Sequence, residues 1–313
     1  MPVNKLLLIG LVQALLVLLT APLFTGFART LRAKLHSRRG PGIFQDYRDI
    51  FKLIKRQEVV PAQASWVFRS APYVVMATTL LIAMMVPILT LQSPLGMAGD
   101  LIAVVYLFAL ARFFFALAGL DSGSGFAGMG ASREMALSVL VEPTIILVLF
   151  VVALLAGSTD LGTISQKVAA GEISYYSPAI WLGMLAFAIA TFIETGKLPF
   201  DLAEAEQELQ EGPLTEYSGR SLAILKWNLY MKQVVVISLF LAVFFPFGSA
   251  AVVSTSSLLV SMAIFILKVA GFYVIAALLE NGMARLLLFK APEVTWVAFG
   301  MALLSFVFYL ANV

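Results

Sequence analysis

Five charged side chains lie inside long apolar runs of the sequence. Arg112, Glu142 and Lys268 lie well within such runs, and Glu194 and Glu280 lie near their ends. A charge in hydrocarbon costs at least about 2.5 kcal/mol, so each of these groups needs a partner, water or a function. A carboxyl group balanced between burial and nearby cations can load and release a proton. We therefore predict a proton path through these residues; for Glu194 and Glu280, structural ion pairs or snorkelling to the membrane surface are equally good explanations.

A second concentration of acids lies between residues 194 and 216, with seven acids and one lysine. If its middle is helical, Glu204, Glu208 and Glu211 share one face. Crowded carboxylates titrate over a spread of pH, as a proton funnel requires. A solvated acidic loop is the alternative. We predict that this segment extends the path into a cytoplasmic loop, through Asp201, Glu204, Glu206, Glu208 and Glu211.

Composition indicates the elements that position these residues. The 313 residues are 61% hydrophobic and 12% charged, with a mean hydropathy of +0.95, and the apolar residues form runs of about 20, the length that crosses a bilayer. We predict an all-α polytopic membrane protein, one integral membrane domain over 1–313, with about eight spans. The predicted spans are 5–28, 71–92, 99–119, 135–156, 178–195, 231–248, 256–280 and 293–312.

Lysine and arginine predict the orientation of these spans. Most of the 21 basic residues fall between odd- and even-numbered spans, in the order 1–2, 3–4, 5–6 and 7–8. Cytoplasmic loops carry such an excess, so loops 29–70 and 196–230 are predicted to be cytoplasmic and both termini periplasmic. The first segment is interpreted as a retained helix, since its apolar run is longer than that of a signal peptide.

Metal and redox chemistry have few possible ligands here. The sequence contains no cysteine, which excludes disulfides, cysteine-ligated iron–sulfur clusters, thiolate zinc sites and cysteine nucleophiles in this chain. Its one histidine, His36, cannot form a haem or metal site alone. The basic pI of about 9.1 reflects residues beside the membrane, and we expect no nucleic-acid partner.

Two further segments are candidates for contact with a partner or with lipid. A Gly-Pro-Gly turn at 40–42 precedes a short amphipathic helix rich in aromatic and basic residues, and such helices lie along a membrane interface. The sequence does not separate lipid anchoring from protein docking there. The stretch 119–134 is too rich in glycine to serve packing alone, and it lacks the Lys-Ser/Thr ending of a P-loop.

Three motifs together resemble a known family. They are similar to motifs of subunit 1 of respiratory complex I. The three are the acidic stretch with Pro199-Phe200-Asp201 followed by Glu216-Tyr217-Ser218-Gly219, Arg-Arg-Gly-Pro at 38–41, and Gly-Ala-Ser-Arg-Glu at 130–134. The amino-acid sequence of residues 36–59, 111–134 and 200–219 resembles the membrane subunits of formate hydrogenlyase and hydrogenase-4 more closely still. These belong to the group 4 membrane-bound nickel–iron hydrogenases, and the likeness covers nearly the whole chain.

The resemblance implies a function. It implies a non-catalytic subunit of the cell inner membrane that contains no redox centre or cofactor of its own and couples electron transfer in a peripheral arm to proton or sodium movement. The implied partners are hydrogenase large and small iron–sulfur subunits, which would hold the nickel–iron site and the clusters, and antiporter-like membrane subunits. The residues that we expect at the docking surface of the arm are Arg38, Arg39, Asp46, Arg48, Asp49, Arg133, Glu216 and Tyr217.

Two alternatives remain at this point. The first keeps the fold but makes the chain a quinone-site subunit of a complex I-like NADH:quinone oxidoreductase. In this chain, the segment after Arg-Arg-Gly-Pro is shorter than in complex I subunit 1, and the region 280–285 contains less arginine and proline. Both differences favour the hydrogenase branch. The second is a stand-alone secondary transporter, for which the sequence offers no pair of broken helices.

Overall fold

The computed structural model describes residues 3–311, apart from the side chains of residues 3–5, 97, 206 and 207. Within that range the chain is helical, and the all-α polytopic architecture predicted from the sequence is confirmed. Seven helices are long and apolar enough to cross a membrane, and α7, with 17 residues, is shorter but as apolar. These eight helices are α1 (Val3–Leu35), α3 (Trp66–Met85), α4 (Leu101–Asp121), α5 (Gly125–Ala156), α7 (Pro178–Glu194), α9 (Gly219–Phe244), α10 (Thr255–Gly282) and α11 (Ala291–Leu310).

Three short helices lie between them: α2 (Gln45–Ile54), α6 (Leu161–Ala169) and α8 (Glu206–Leu209). The helix α2 is strongly amphipathic, as expected from its sequence. The α8 helix, within the acidic segment, has only four residues.

Several helices begin earlier than their apolar runs. The α3 helix begins at Trp66, because the side chain of Ser65 accepts a hydrogen bond from the Val67 backbone N–H and caps it. Likewise α5 begins at Gly125 and α9 at Gly219, ten and twelve residues before the predicted spans. Hydropathy detects the part of a helix in hydrocarbon and misses polar turns beyond it.

The core is built around α9. Its apolar stretch is 67% buried, against 22% for α11, so α9 is the central helix and α11 lies at the edge. Val17, Ile82, Leu149, Phe187 and Ile237, from α1, α3, α5, α7 and α9, are all buried in one continuous cluster. These five helices therefore share one apolar interior.

Long loops meet at one end of the bundle. The Val59 backbone N–H donates to Ser218 Oγ at 2.8 Å, and the Ser65 backbone N–H donates to Asp121 Oδ2 at 2.8 Å. We call this end, which carries residues 36–65 and 195–218, the loop face. At the opposite end of the bundle, Thr90 and Ala250 form an isolated β-bridge. The assignment of the loop face to the cytoplasm remains a prediction.

Candidate functional site

Arg112 lies between two of the carboxylates singled out in the sequence. The guanidinium Nη1, on α4, is 2.7 Å from Glu142 Oε1 on α5 and 3.5 Å from Glu194 Oε1 on α7. Arg112 is 7% exposed and Glu194 8%, so this part of the site is enclosed by protein. The structure thus brings together three charges predicted from separate helices.

The network continues through two residues that the site prediction did not include. Lys232 Nζ, on α9, is 3.3 Å from Glu194 Oε2 and 3.2 Å from Glu134 Oε1 on α5. The five side chains form a chain of alternating sign, in the order Glu142, Arg112, Glu194, Lys232 and Glu134. We call it the charge network. Glu134 precedes Glu142 by eight residues, a separation of about 12 Å along one helix, so the network runs along the bundle axis.

A polar cavity adjoins the loop-face end of the charge network. Its volume is about 70 Å³, and its lining includes Glu134, Glu194, Lys232, Asp201 and Glu204. One water requires roughly 10–15 Å³ on this scale and two to four polar partners, so the cavity can hold several waters. Carboxylates that lie within reach of one another or of a shared water can exchange protons.

The acidic segment reaches this cavity in a different form from the one expected. The α-helix in the middle of this segment covers only Glu206–Leu209, and Glu204 and Glu211 lie outside it, so the predicted common face of Glu204, Glu208 and Glu211 is wrong. Gln210 and Gly212 both adopt positive φ, at 57° and 53°, which ends the helix after one turn.

The acids of this segment consequently have separate partners. Glu208 Oε2 is 2.7 Å from Arg133 Nη1, Glu211 Oε1 is 2.8 Å from Lys226 Nζ, and Asp201 Oδ2 is 2.8 Å from Arg285 Nη2. The side chain of Glu206 lies outside the described residues. Glu204 lines the cavity, as do Asp201 and Glu194.

The pKa of Glu204 is raised to about 7. Burial is the largest cause, followed by the negative charges of Asp201, Glu134 and Glu211, while Lys226 acts in the opposite direction. A carboxyl that titrates near neutrality can exchange a proton with water without a large free-energy change.

Glycines hold the acidic segment against the bundle. A Cβ on Gly130 of α5 would lie 2.6 Å from Gly212 Cα and 2.7 Å from Pro213 Cδ, and one on Gly119 of α4 would lie 3.3 Å from Pro213 Cβ. Close backbone approach therefore explains these two glycines of the 119–134 stretch. Gly125 and Gly128 of the same stretch have no such contact, so packing against the acidic segment does not account for all of its glycines.

Glu280 belongs to a second ion-pair group. Its carboxylate is 3.4 Å from Arg32 Nη1 and 3.6 Å from Lys197 Nζ, and that ammonium also lies 5.1 Å from the ring centroid of Tyr273. Burial lowers the pKa of Lys197, and the charge of Glu280 partly offsets that shift. The structure places this group apart from the charge network.

Lys268 lies apart from both groups. Its ammonium donates to the backbone carbonyls of Phe245, at 2.6 Å, and Phe247, where α9 ends. It therefore caps the central helix at the end opposite the loop face.

The residues expected at a docking surface differ in exposure. Two are buried: Asp46 is 1% exposed and pairs with Arg29 at 2.8 Å, and Tyr217 is 4% exposed, with its ring 3.9 Å from that of Phe68. Because neither reaches the surface, we remove both from the docking set. Arg133 and Glu216 are partly exposed, and the exposed residues are Arg38, Arg39, Arg48 and Asp49.

No group of three or more His, Asp or Glu side chains arranged to hold a metal occurs within residues 3–311. Fold and site together define a multi-pass, all-helical membrane protein with an ion-pair network through its centre.

Comparison with known proteins identifies the family. The NADH dehydrogenase family matches residues 7–310, so the chain belongs to it. It is 52% identical to hydrogenase-4 component C of Escherichia coli K12 over 98% of this chain and 97% of that protein. It is 51% identical to formate hydrogenlyase subunit 4 of the same organism, over 96% of this chain and 98% of that protein. Identity to NADH-quinone oxidoreductase subunit 8 of Rhodothermus marinus is 30%, over 71% and 69%.

A solved structure shows the same fold. A chain of the membrane-bound sulfane sulfur reductase, an archaeal respiratory membrane complex, aligns with a TM-score of 0.84 at 23% identity, covering 96% of this chain and 99% of that one. The resemblance to membrane subunits of formate hydrogenlyase and hydrogenase-4, and more distantly to complex I subunit 1, is confirmed.

Proposed function

We propose that the protein is the membrane anchor and coupling subunit of a multisubunit hydrogenase of the formate hydrogenlyase or hydrogenase-4 type. It links electron transfer in a peripheral arm to the translocation of protons or sodium ions. The charge network carries this proposal, because five ionisable groups of alternating sign join an apolar interior to a polar cavity at the loop face. A simple anchor has no use for such costly groups at this depth.

The proposed path begins with the acidic segment and Glu204 and continues through Lys232 and Glu194 to Glu142. A change of charge in the arm would alter the affinity of Glu204 for its proton, and the shift would pass inward through the coupled pairs. Partners with a nickel–iron site and iron–sulfur clusters would supply the redox step, and this chain would supply no redox group.

Glu142 indicates where a further membrane subunit would bind. Its side chain is 32% exposed, although it lies near the middle of the spanning helix α5. A charged carboxylate is costly in contact with lipid tails. We propose that an antiporter-like subunit covers this face with a polar or hydrated surface, so that the path continues laterally.

Orientation and location follow from the basic residues. The loop face carries the exposed Arg38, Arg39 and Arg48 and would face the cytoplasm, with both termini in the periplasm and the chain in the inner membrane.

Isolation of the assembly through a tag on this chain tests the proposal. We expect nickel and iron–sulfur clusters in the isolated complex, together with hydrogen formation from a reduced dye. A chain that is active alone in liposomes would indicate a transporter. Inhibition by quinone-site compounds would support the quinone-site alternative, to which the identity of 30%, against 52%, gives less support.

A further inference from the structure

The start of α2 packs beside the apolar part of α1. Thr25 Oγ1 donates to Asp46 Oδ2 at 2.7 Å, and the Tyr47 hydroxyl donates to the Leu19 carbonyl. A Cβ on Gly26 would overlap the Ile43 carbonyl, so the two backbones are in direct contact. After α1 the chain therefore turns back, and α2 begins beside residues 25–26 of α1.

The end of α2 lies at nearly the same level. Gly219, the first residue of α9, lies against the backbone of Arg56 and Gln57, which follow α2. Trp227 Nε1 donates to the Leu18 carbonyl at 2.8 Å and sets the register of α9 on α1. At 1.5 Å per residue Gly219 lies about 12 Å from Trp227 along the axis, close to the level of Gly26. The α2 helix thus runs across the bundle axis, parallel to the membrane plane.

This level is the edge of the hydrocarbon. The apolar run of α1 ends at Ala28, and Arg29 and Arg32 follow within the next turn. Helices that lie along a membrane bury their apolar side about 5–10 Å into this boundary.

One side of α2 faces the protein, and the side that points toward deeper levels is aromatic. Asp46 and Ile50 are buried against the bundle. Phe44 and Phe51, seven residues apart, are 63% and 56% exposed. Tyr47 lies on the same side of α2 as these two residues, at helical spacing. Its hydroxyl contacts the Leu19 carbonyl, which is deeper along α1 than Thr25, so this side of α2 faces the membrane interior.

The opposite side is polar. Gln45 and Asp49 lie there, about half a turn from the aromatic side, and Gln45 Nε2 donates to Asp49 Oδ1 at 2.9 Å. This side faces water when the aromatic side faces hydrocarbon.

The remaining side, directed away from the bundle, is basic. Arg48, Lys52 and Lys55 follow one another at i, i+4 and i+7 and are all exposed. None of the three forms an ion pair with another described residue. They form a row of uncompensated positive charge at the height where lipid phosphates lie.

We propose that α2 is a binding site for anionic phospholipids of the adjoining leaflet. Arg48, which this proposal takes out of the docking set, binds the phosphates together with Lys52 and Lys55, and Phe44 and Phe51 lie among the acyl chains. The four sides of α2 match the surroundings at the edge of a bilayer. The buried side faces the protein, the aromatic side the hydrocarbon, the basic side the lipid headgroups and the polar side water. A water-borne protein partner would leave the two phenylalanines unmatched.

Lipid retention tests the basic row. The full chain, in nanodiscs of phosphatidylcholine with phosphatidylglycerol, is compared with the triple variant R48Q/K52Q/K55Q and with the control K34Q/R38Q/R39Q, which loses equal charge outside α2. We expect the preference for phosphatidylglycerol to fall at least about tenfold in the first variant and less than twofold in the control. Equal retention in all three, or equal loss in both variants, would overturn the proposal. So would a first variant that keeps its lipid but loses the other subunits from the assembled complex, since α2 would then be a protein-docking helix.

Depth measurement tests the aromatic side without relying on affinity. The sequence contains no cysteine, so F51C and D49C can each carry one nitroxide label. We expect the label at 51 to collide with dissolved oxygen, as lipid-exposed sites do, and the label at 49 to collide with a water-soluble nickel chelate. Access of the chelate to both positions would overturn the placement of α2.

Discussion

Lys232 lies 3.3 Å from Glu194 at the point where the enclosed part of the charge network meets the polar cavity. The same ammonium is 3.2 Å from Glu134, so one cation on the central helix joins acids from α7 and α5. Within the charge network, Lys232 is the group that links Glu134 to Glu194.

Replacement of Lys232 by methionine tests that position. The change leaves two acids without their shared cation, and loss of one partner from a largely buried pair costs about 3 kcal/mol. We expect lower thermal stability of the purified chain and loss of ion pumping in vesicles.

A matched control is available on the same helix. Lys226 pairs with Glu211 at 2.8 Å, but the side chains are 28% and 41% exposed. K226M should cost less than about 1 kcal/mol. K232R, which keeps the charge, should restore pumping. Full pumping in K232M would show that the cation is not part of the path.

Glu204 gives the protein a pH-dependent stability. Its pKa of about 7 in the folded chain exceeds the ordinary value of 4.5, so the folded state binds this proton more tightly than the unfolded state does. The contribution of Glu204 to stability is therefore greatest below about pH 4.5 and is lost as the pH rises through 7. E204Q should remove this dependence.

Thermal unfolding from pH 4.5 to 8 measures the effect. We expect the difference in Tm between the wild type and E204Q to change across this range, with the wild type losing stability relative to the variant as the pH rises. E208Q is a control, since Glu208 is 58% exposed and pairs with Arg133. Parallel curves for wild type and E204Q would indicate that Glu204 stays ionised throughout.

Gly130 tests whether close packing places the acidic segment. A Cβ there would meet the backbone at Gly212 and the carbonyl of Ala203 at 2.9 Å, so G130A should shift the loop that carries Glu204. Overpacking of this kind costs about 1–3 kcal/mol, and we expect reduced pumping as well.

Gly128 is the control on the same helix. A Cβ there would meet only Leu120 Cδ2 at 3.9 Å, so G128A should be neutral or stabilising by up to about 1 kcal/mol. The two variants are compared by thermal unfolding and by pumping in vesicles. Equal behaviour would refute the positioning role of Gly130.

The sequence alone predicted the spanning helices and part of the site. Arg112 and Glu142 stand out because each interrupts an apolar run, and the expense of an isolated charge in hydrocarbon makes such residues informative. Glu134 and Lys232 were missed as members because they lie near the predicted ends of apolar runs, where a charge is ordinary. Their pairing depends on the register of α5 on α9, which no local pattern encodes.

The acidic segment shows the opposite error. Glu204, Glu208 and Glu211 have helical spacing, but tertiary packing determines the backbone here. The approach of Gly212 and Pro213 to Gly130 requires a positive φ at Gly212, which a helix does not allow. Propensity is a weak guide in a segment that is held on both sides by other elements.

In the proposed path, Glu194 passes charge between the cavity and the membrane interior. The most direct test is proton movement in vesicles that contain the intact complex with E194Q, alongside E172Q, since Glu172 is exposed outside the charge network. We expect E194Q to keep the dye-linked hydrogenase activity of the arm and lose pumping, and E172Q to keep both. Pumping in E194Q equal to that of the wild type would contradict the account.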